Sequence, residues 1–440
     1  TIDVPDDADA LGRLAYGGRL GPAASGLDGF QYVARNEAGA SNPVLLNYAT
    51  APVVLDAGSN DSAEAAQEVA PPCEIAGRIE ARGDRDLYAF AARAGQVLSI
   101  EAVGDRLGWP VDLYLVLRDA AGTVLGESDE DPEVLAPAQF PTRSDDPGRL
   151  RFVAPADGRY VLTVSCRLAP LLAGPRQIYR VRIGPERPDF RLVVLPSIGG
   201  GPGGWAVGRG GRMDALVLIW RRDGFGGPVT LTAEGLPPGV TCPPQLVGPG
   251  LKQAALIVRA ETDAPTWTGP IRVRGTATID GRTVAREARA ASITWPVPQA
   301  NVPAIARLDR ELVLAVRDPP PFALALGREE ATLAPGEKLT VPLKLTRLWP
   351  DLKAPVQVTA SSFPPNLTAA PVGMAPGRDD AEIVLEARAN AAPGVYSLVL
   401  RGQVPVPFSK DPAAKAKPNV TVTQPSAPLA LTVLPRRSAR

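Results

Sequence analysis

An internal repeat in the second half of the chain is the strongest constraint on its fold. The segment PVTLTAEGLPPGVTCPP (228–244) aligns with PVQVTASSFPPNLTAAP (355–371), with eight identities in seventeen positions. A second pair, ALIVRAETDAPTWTGPIRVRGTA (255–277) and AEIVLEARANAAPGVYSLVLRGQV (381–404), follows at an offset of 126 residues instead of 127. Because the spacing is kept across the unit, we expect two copies of one domain to follow each other.

Each copy begins with a strand-like segment. Val229 and Leu231 alternate with polar residues in one copy, and Val356 and Val358 occupy the matching positions in the other. Alternation with a period of two is typical of a strand with one buried face. A Pro-Pro pair follows and ends each strand, because proline cannot donate a hydrogen bond to a sheet. The repeat therefore predicts two Ig-like β-sandwiches.

Period-two segments separated by Gly, Pro and Asp turns also fill the first half of the chain. DLYLVLRDAAGTVLGES (112–128) predicts two strands around an Ala-Gly turn, and CEIAGRIEA (73–81) predicts a strand with Glu74 facing outward. Helical periodicity is nearly absent, and NDSAEAAQEV (60–69) is the best helix candidate. We therefore predict an all-β chain of tandem antiparallel β-sandwiches.

The 440 residues are enough for several domains. We predict an Ig-like segment at 1–52, which would be the end of an upstream domain, and β-sandwiches at 53–187, 188–300 and 301–435, followed by a tail at 436–440. The sandwich at 301–435 is the repeat of the one at 188–300. Each predicted sandwich is long enough to bury a core of its own.

The composition excludes several classes of function. The chain contains no histidine, which removes His-based catalytic triads, His-ligated zinc and His general bases. Lys and Arg balance Asp and Glu at 47 each, and they are scattered, unlike the basic surface of a nucleic-acid-binding protein. No apolar run approaches the ~20 residues of a membrane-spanning helix. We expect a protein that is not an enzyme, binds no nucleic acid and does not span a membrane with this chain.

From Asp56 to Gly184 the chain resembles the bacterial pre-peptidase C-terminal domain. The resemblance rests on four segments in that family's order: SNDSAEAAQEV (59–69), IAGRIEARGDRDLYAFAARAGQVLSIEA (75–102), DLYLVLRDAAGTVLGESDED (112–131) and LRFVAPADGRYVLTVSC (150–166). The chain is similar to the version found in large exported proteins of planctomycete-type bacteria, in which Ig-like domains also follow. The resemblance implies a jelly-roll-like β-sandwich, an exported location and a non-catalytic accessory role.

The resemblance also implies a calcium site. In the calcium-binding members, acidic residues and an Asn-Asp pair of the linker before the first strand join acidic residues of a Gly-Asp-x-Asp turn around Ca²⁺. By residue type this chain offers Asp56, Asn60 and Asp61 from the linker, and Asp84 and Asp86 from the turn. Oxygen ligands of this kind suit Ca²⁺, so calcium is the one cofactor that we expect.

Other interpretations of these acidic residues stay open. Gly58 stands where the family pattern has a second linker acid, which removes one ligand. Asp84 can instead bond to backbone N–H groups of a tight turn, with Asp86 facing solvent at the start of the strand. A catalytic acid/base pair is a third interpretation, but two carboxylates at one strand start do not form a cleft. The acidic loop RSDDPG (143–148) is likewise either a solvated loop or a second cation site.

The cysteines leave one pairing open. Three cysteines are present without a CxxC motif, which is too few for a disulfide scaffold. Cys73 and Cys166 both fall on apolar faces of predicted strands, so a disulfide is feasible if those strands are neighbours and the compartment is oxidising. The alternative is two buried thiols, since free cysteine packs as a small apolar residue.

These observations predict an exported structural or adhesive protein of the cell envelope or surface, located in the periplasm, on the cell or outside it. Its partners would be other envelope or surface proteins or an extracellular polymer, and exposed sheet edges would allow self-assembly. The alternative is an accessory module of a secreted hydrolase that binds a polysaccharide or a fibrous protein. The chain begins at Thr1 without a visible signal peptide, which favours a processed chain or a piece of a longer one.

Overall fold

The computed structural model describes residues 7–197, 204–297, 302, 304–361, 363–409, 411 and 413–436. These residues form two compact units. One holds the chain up to Phe190 together with Arg221–Phe225 and Pro296–Leu308, and the other holds the rest. Among the described residues the only α-helix is Ala8–Leu11, beside two short 3-10 helices. The predicted all-β fold of tandem β-sandwiches is confirmed, and most of the predicted tail lies outside the described residues.

The N-terminal segment forms a small sheet instead of a whole sandwich. Its strands are β1 (Leu14–Ala15), β2 (Gly29–Tyr32), β3 (Arg35–Asn36), β4 (Gly39–Ala40) and β5 (Val44–Asn47), with a 3-10 helix at Pro22–Gly26. β2 lies between β1 and β5, and β3 and β4 form a separate hairpin. Ala24, Leu27 and Leu45 pack on Val103 and Leu107, so the segment shares a small core with the sandwich that follows.

The first sandwich contains ten strands in two sheets. They are β6 (Val53–Leu55), β7 (Gln67–Glu68), β8 (Cys73–Arg78), β9 (Arg85–Ala92), β10 (Val97–Val103), β11 (Leu113–Asp119), β12 (Val124–Ser128), β13 (Leu150–Val153), β14 (Gly158–Cys166) and β15 (Ile178–Gly184). One sheet has the order β13-β10-β15-β8-β6 and the other β12-β11-β14-β9-β7. The core between them includes Tyr88, Phe90 and Tyr179. The predicted hairpin at 112–128 is present as β11 and β12.

The predicted helix at 60–69 is wrong. This segment runs along β9 instead, because its backbone groups pair with that strand. The Leu87 N–H donates to the Asn60 carbonyl at 2.9 Å, and the Val69 N–H donates to the Ala89 carbonyl at 2.8 Å. Pairing with a neighbouring strand satisfies the same backbone groups that a helix would have used, and it also holds the linker against the sandwich.

Glu74 lies on the outer face of its sheet, as predicted, but that face is not exposed to solvent at this position. Glu74 is buried, because the end of the N-terminal segment covers it. The Thr50 N–H and hydroxyl both donate to Glu74 Oε1, the hydroxyl at 2.9 Å. Arg180 Nη2 donates to Glu74 Oε2 at 2.8 Å. A buried carboxylate of this kind is tolerated only when it is paired, as it is here.

The second sandwich follows from residue 189. Its strands are β16 (Asp189–Pro196), β17 (Trp205–Gly208), β18 (Arg212–Arg222), β19 (Val229–Glu234), β20 (Val240–Thr241), β21 (Gln245–Val247), β22 (Gln253–Ala260), β23 (Trp267–Ile279), β24 (Arg282–Glu287) and β25 (Arg289–Trp295); β26 (Ile305–Leu308) then precedes β27 (Leu312–Arg317). One sheet runs β20-β22-β18-β16-β25, and the other runs β17-β27-β23-β19-β21 with β24 on β23. Because β27 pairs with β17 and β23, this sandwich extends past the predicted boundary at 300.

The third sandwich ends the described chain. Its strands are β28 (Phe322–Leu326), β29 (Glu330–Leu333), β30 (Lys338–Arg347), β31 (Val356–Ser361), β32 (Leu367–Ala369), β33 (Val372–Met374), β34 (Asp380–Ala387), β35 (Gly394–Pro407), β36 (Asn419–Pro425) and β37 (Leu429–Val433). One sheet has the order β28-β30-β34-β32, and the other β29-β37-β35-β31-β33 with β36 on β35.

The two copies of the sequence repeat have matching structural features in the second and third sandwiches. Val229 and Leu231 on β19 are fully buried, as are Val356 and Val358 on β31. The turns after the Pro-Pro pairs also correspond: Gly239 has φ +73° and its counterpart Asn366, 127 positions later, has φ +67°. Glycine and asparagine are the residues that adopt this left-handed conformation most readily. The repeat therefore preserves the turn even where the residue changes.

The two candidate disulfide cysteines are free thiols in the structure. Cys73 lies on β8 and Cys166 on β14, which belong to different sheets of the first sandwich. The two strands are therefore not hydrogen-bonded to each other within one sheet, and the disulfide stays a prediction. Both side chains are buried in the shared core, where free cysteine behaves as a small apolar residue.

A buried charge network ties β10 to the loops at its end. Arg149 Nη2 lies 2.8 Å from Glu101 Oε2, and Arg106 Nη1 lies 3.2 Å from Glu101 Oε1. Burial opposes ionisation of Glu101, but the two guanidinium groups outweigh it and lower its pKa to about 2. The ionised carboxylate therefore stabilises the folded state.

Glu101→Gln is expected to make the first sandwich less sensitive to acid. The folded-state pKa of about 2 lies below the ordinary value of 4.5. The stabilisation is therefore complete above about pH 5 and is lost as the pH falls towards about 2. The free-energy difference between wild type and variant should shrink by about 2 kcal/mol over that interval, allowing for the partly exposed carboxylate. Urea unfolding at both ends of the interval measures it, and a constant difference would contradict this prediction.

Candidate metal site

The predicted linker and turn residues meet beside strand β9. The turn before the strand carries Asp84, and Asp86 is the second residue of the strand itself. The linker is held next to them by the hydrogen bond between Leu87 and Asn60. As a result, carboxylate oxygens of Asp61, Asp84 and Asp86 all lie within 4.8 Å of one another. Within the described residues, this is a group that has the spacing to hold a metal ion.

Asn60 adds a buried polar atom without a partner. Its side chain is 1% exposed. Its Nδ2 donates to the Leu87 carbonyl at 3.3 Å, whereas its Oδ1 has no hydrogen-bond partner among the described residues. Leaving such an acceptor unpaired costs about 1–3 kcal/mol, and a bound ion or water is a usual explanation. An amide oxygen is also a normal Ca²⁺ ligand.

Asp56 stands apart from the converging carboxylates and is held by a buried tyrosine pair. The Tyr88 hydroxyl donates to Asp56 Oδ1 at 3.0 Å. The hydroxyl oxygens of Tyr88 and Tyr179 are 2.7 Å apart, and the Tyr179 hydroxyl donates to Asp86 Oδ2. A chain of close polar contacts therefore connects the linker at Asp56 with the strand at Asp86, across the core of the sandwich. The two hydroxyl hydrogens can serve two of its three contacts at one time.

Asp84 performs the role that the turn interpretation assigns to it. The Glu80 N–H donates to Asp84 Oδ2 at 2.6 Å, and the Asp84 N–H donates to the Ala81 carbonyl at 3.2 Å. Its other carboxylate oxygen is not used in this turn. The companion expectation that Asp86 faces solvent is wrong, because Asp86 is 1% exposed and lies on the same face of β9 as Tyr88.

The surroundings of Gly58 show what a second linker acid would meet at this position. Gly58 has φ +64°, a left-handed conformation that most side chains disfavour, although asparagine and aspartate tolerate it better than others. A Cβ atom there would lie 2.9 Å from Glu80 Oε2. The Glu80 side chain, which pairs with Arg78, therefore occupies the space beside this glycine. An acidic side chain at position 58 would therefore have to displace the Glu80 carboxylate.

Burial, with repulsion between carboxylates added to it, dominates the electrostatics of the site. Burial raises the pKa of Asp86 to about 7; the Tyr179 hydroxyl opposes this, and the neighbouring Asp56, Asp84 and Asp61 add to it. The pKa of Asp61 is also raised, by desolvation and by Asp84. Like charges held this close favour either protonation or a bound cation. A positive charge bound at the site would therefore be stabilising.

The donor set fits a hard cation. Asp61, Asp84, Asp86 and Asn60 offer oxygen atoms only, which suits Ca²⁺ or Mg²⁺ better than zinc. Ca²⁺ takes six to eight oxygen ligands and accepts irregular geometry, so backbone carbonyls and water would have to complete its coordination. The residues present are therefore compatible with the calcium that the family resemblance implies.

Tyr179 is the functional neighbour that sequence reasoning missed. It lies on β15, far along the chain from Asp86, and only the sheet pairing brings its hydroxyl to the site. The segment IYRVRIG (178–184) does carry a signal, since Tyr179, Val181 and Ile183 alternate with exposed-type residues. That pattern places Tyr179 in the core, but it does not indicate which polar group the hydroxyl meets.

Comparison with known proteins gives likenesses in fold only. No family model and no curated protein matches the chain. Among solved structures, the pre-peptidase C-terminal domain of a collagenase from Bacillus anthracis is 13% identical, with a TM-score of 0.20, covering 27% of this chain and 93% of that one. Domains 5 and 6 of the S-layer protein SbsC are 12% identical, with a TM-score of 0.21, covering 55% and 99%. Identities this low do not transfer an activity, so function has to be argued from the residues themselves.

Membrane association through a helix finds no support in the part of the chain that the structure describes. None of its helices has the length and the apolar character needed to cross a bilayer.

Proposed function

We propose that this chain is a non-catalytic structural protein of the cell envelope or surface, in which Ca²⁺ fixes the linker to the first sandwich. The observation that carries the proposal is the convergence of three carboxylates from linker and turn within 4.8 Å, beside the unpartnered amide oxygen of buried Asn60. A cation bridging them would join two segments of chain. A sandwich whose linker is held rigidly in this way suits a spacer or adhesive protein.

The composition and the fold are consistent with this proposal. The chain lacks histidine, and the acidic group lies at a turn beside strand β9. Sandwiches of this kind present surfaces and edges to other envelope proteins or to an extracellular polymer. Export follows from the family resemblance, and fractionation of the source cells tests it: recovery of the chain with the cytosol would contradict an envelope role.

Thermal unfolding of the full chain with Ca²⁺ and with chelator tests the metal site. Ca²⁺ at about 100-fold over its dissociation constant should stabilise the first unit by about 2.7 kcal/mol. For a unit of roughly 200 residues this raises its melting temperature by about 5–10 °C. Scanning calorimetry can assign the shift to one transition, and an identical melting curve with and without Ca²⁺ would contradict the proposal.

The matched variants separate a specific site from a general effect of charge. Asp61→Asn with Asp84→Asn removes two of the converging carboxylates while keeping side chains of the same size, and neither residue is fully buried. The response to Ca²⁺ should disappear, while stability in chelator stays the same or rises because repulsion is relieved. Asp263→Asn with Asp351→Asn changes two exposed carboxylates elsewhere and should leave the response intact.

A further inference from the structure

The hairpin of β35 and β36 in the third sandwich is longer than its counterpart in the second sandwich. The counterpart strands, β23 and β24, are joined by a tight turn, because Ile279 pairs with Arg282. In the third sandwich Pro407 pairs with Asn419, so residues 408–418 form the connection. An insertion into one copy of a repeat lies at the surface, and such insertions commonly carry a function that the other copy lacks.

An apolar ridge runs along one face of this hairpin and out of the core. Val404 pairs with Val422, and Val406 pairs with Val420. Val404 is fully buried, and Val406 and Val422 pack against the core of the third sandwich. Farther out, Val420 is 45% exposed, and Phe408, which is in step with Val404 and Val406 along β35, is 54% exposed. The outer end of the ridge therefore presents two large apolar side chains to the surroundings.

The edge of β35 that continues past β31 is protected against pairing with another strand. Pairing with β31 reaches Gln403. The Phe408 N–H donates to the Pro418 carbonyl at 2.9 Å, so the alternate residues Pro405 and Pro407 direct their nitrogen atoms to the opposite edge. Proline has no N–H to donate, and prolines at an edge oppose strand addition. A partner is therefore expected to use the side chains of the ridge and not its backbone.

Lysine is concentrated at the tip of the hairpin. The chain has seven lysines, and three of them fall within residues 408–418, beside a single acid, Asp411. Lys415 and Lys417 are exposed, and Lys410 lies outside the described residues. The Asp411 carboxylate is used within the loop, where it accepts a backbone N–H at 2.9 Å. The tip therefore combines exposed apolar side chains with a net positive charge.

We propose that the tip of this hairpin docks on the surface of an acidic lipid bilayer. Phe408 and Val420 enter the boundary between headgroups and acyl chains. Lys415 and Lys417 reach the acidic headgroups through their flexible stems. Charge complementarity selects this partner, because a neutral apolar partner would leave the lysines unpaired and a soluble polyanion would leave the ridge in water. The contact goes beyond the function proposed above and does not depend on calcium.

Sedimentation of the full chain with lipid vesicles, with chelator present throughout, tests the proposal. Wild type should bind vesicles of phosphatidylglycerol and phosphatidylcholine, mixed at about 3:7, about tenfold more tightly than vesicles of phosphatidylcholine alone. Salt at about 0.5 M should remove most of this difference. Because no calcium is available, failure of the calcium site does not affect this result. Equal binding to both kinds of vesicle, or binding to neither, would overturn the proposal.

The role of the lysines is tested at constant net charge. Lys415→Gln with Lys417→Gln should weaken binding to the acidic vesicles by about tenfold or more. Lys344→Gln with Lys353→Gln removes the same charge from two exposed positions of the same sandwich. This control should bind as the wild type does, and an equal loss in both double variants would overturn the assignment of the charge to the hairpin.

The role of the ridge is tested separately. Phe408→Ala should weaken binding to the acidic vesicles about fivefold. Val384→Ala, which shortens a valine on β34 that is 42% exposed, is its control and should leave binding unchanged. Urea unfolding of each variant checks that its fold is kept. A loss with the lysine variant but none with Phe408→Ala would overturn the bilayer as the partner, because a soluble polyanion would give that result.

Discussion

Asp146→Ala is expected to lower the free energy of unfolding of the first sandwich by about 3–5 kcal/mol. The Asp146 carboxylate is fully buried. Its Oδ1 accepts the N–H groups of Gly104 and Asp105 at 2.7 and 2.8 Å. Its Oδ2 accepts the N–H of Arg106 at 3.1 Å and the Arg106 Nε–H at 2.8 Å. Alanine would leave these donors unpaired and remove the main counter-charge of a buried guanidinium, and each of these losses is costly.

Asp145→Ala is the control for Asp146→Ala. The neighbouring Asp145 is exposed, and substitutions at such positions usually change stability by less than about 0.5 kcal/mol. Urea unfolding of the full chain, monitored by hydrogen exchange of the peptide 97–113, reports on the stability of this region. A loss of less than about 1 kcal/mol for Asp146→Ala would contradict the role assigned to its hydrogen bonds.

The same pair of aspartates shows where sequence reasoning stops. The loop RSDDPG (143–148) suggests a solvated loop or a cation site, and one of its two acids is instead the buried anchor of the loop at 104–106. Nothing local distinguishes Asp145 from Asp146, because the donors come from residues about forty positions earlier in the chain. Burial of a polar residue is decided by its distant partners.

Strands and the repeat were predictable for a different reason. A strand can be recognised from the alternation of apolar and polar residues over a short segment. The hairpin at 112–128 and the inward-facing Val229 and Val356 therefore follow from the local pattern alone. The same rule places Asp86 on the inward face, since it is in step with Tyr88 and Phe90 along β9. We expected a solvated Asp86 because the residue is polar. The two-residue period of the strand, which decides the face, predicts the opposite.

Prediction of the candidate site was partial for related reasons. The family-like motifs identify Asp61, Asp84 and Asp86, whose carboxylates converge in the structure. They do not indicate that Asp56 is bound by Tyr88, or that Glu80 fills the space at Gly58. These features depend on side-chain packing between segments that are separated along the chain.

Contacts within the second unit join the two repeated sandwiches. Asp214 on β18 pairs with Arg401 on β35, with Arg401 Nε at 2.7 Å from Asp214 Oδ2. The Leu246 N–H donates to the Ser397 hydroxyl at 3.0 Å, and Val399 packs on residues of β22. This interface includes buried polar groups as well as apolar contacts. Because hydrogen bonds and ion pairs are directional, these groups give the interface a defined geometry.

Arg401→Met is expected to destabilise the second unit by about 3–5 kcal/mol, because it leaves the largely buried Asp214 carboxylate without its counter-charge. Ser197 remains as a hydrogen-bond donor to that carboxylate, but a hydroxyl does not replace a guanidinium. Replacing both partners, by Arg401→Met with Asp214→Leu, should recover much of the loss, since an apolar pair of similar volume needs no compensation. A double-mutant cycle in urea unfolding then measures the coupling.

The exposed pair Lys338–Glu386, 3.4 Å apart within the third sandwich, is the control cycle. Its coupling should be about 0.5 kcal/mol or less, because solvent screens both groups. If Asp214 and Arg401 hold the sandwiches together, Arg401→Met should also split the unfolding of the second unit into two transitions, one for each sandwich. A single transition with a coupling no larger than that of the exposed pair would mean that the apolar contacts alone join the repeats, and that the ion pair only fixes their register.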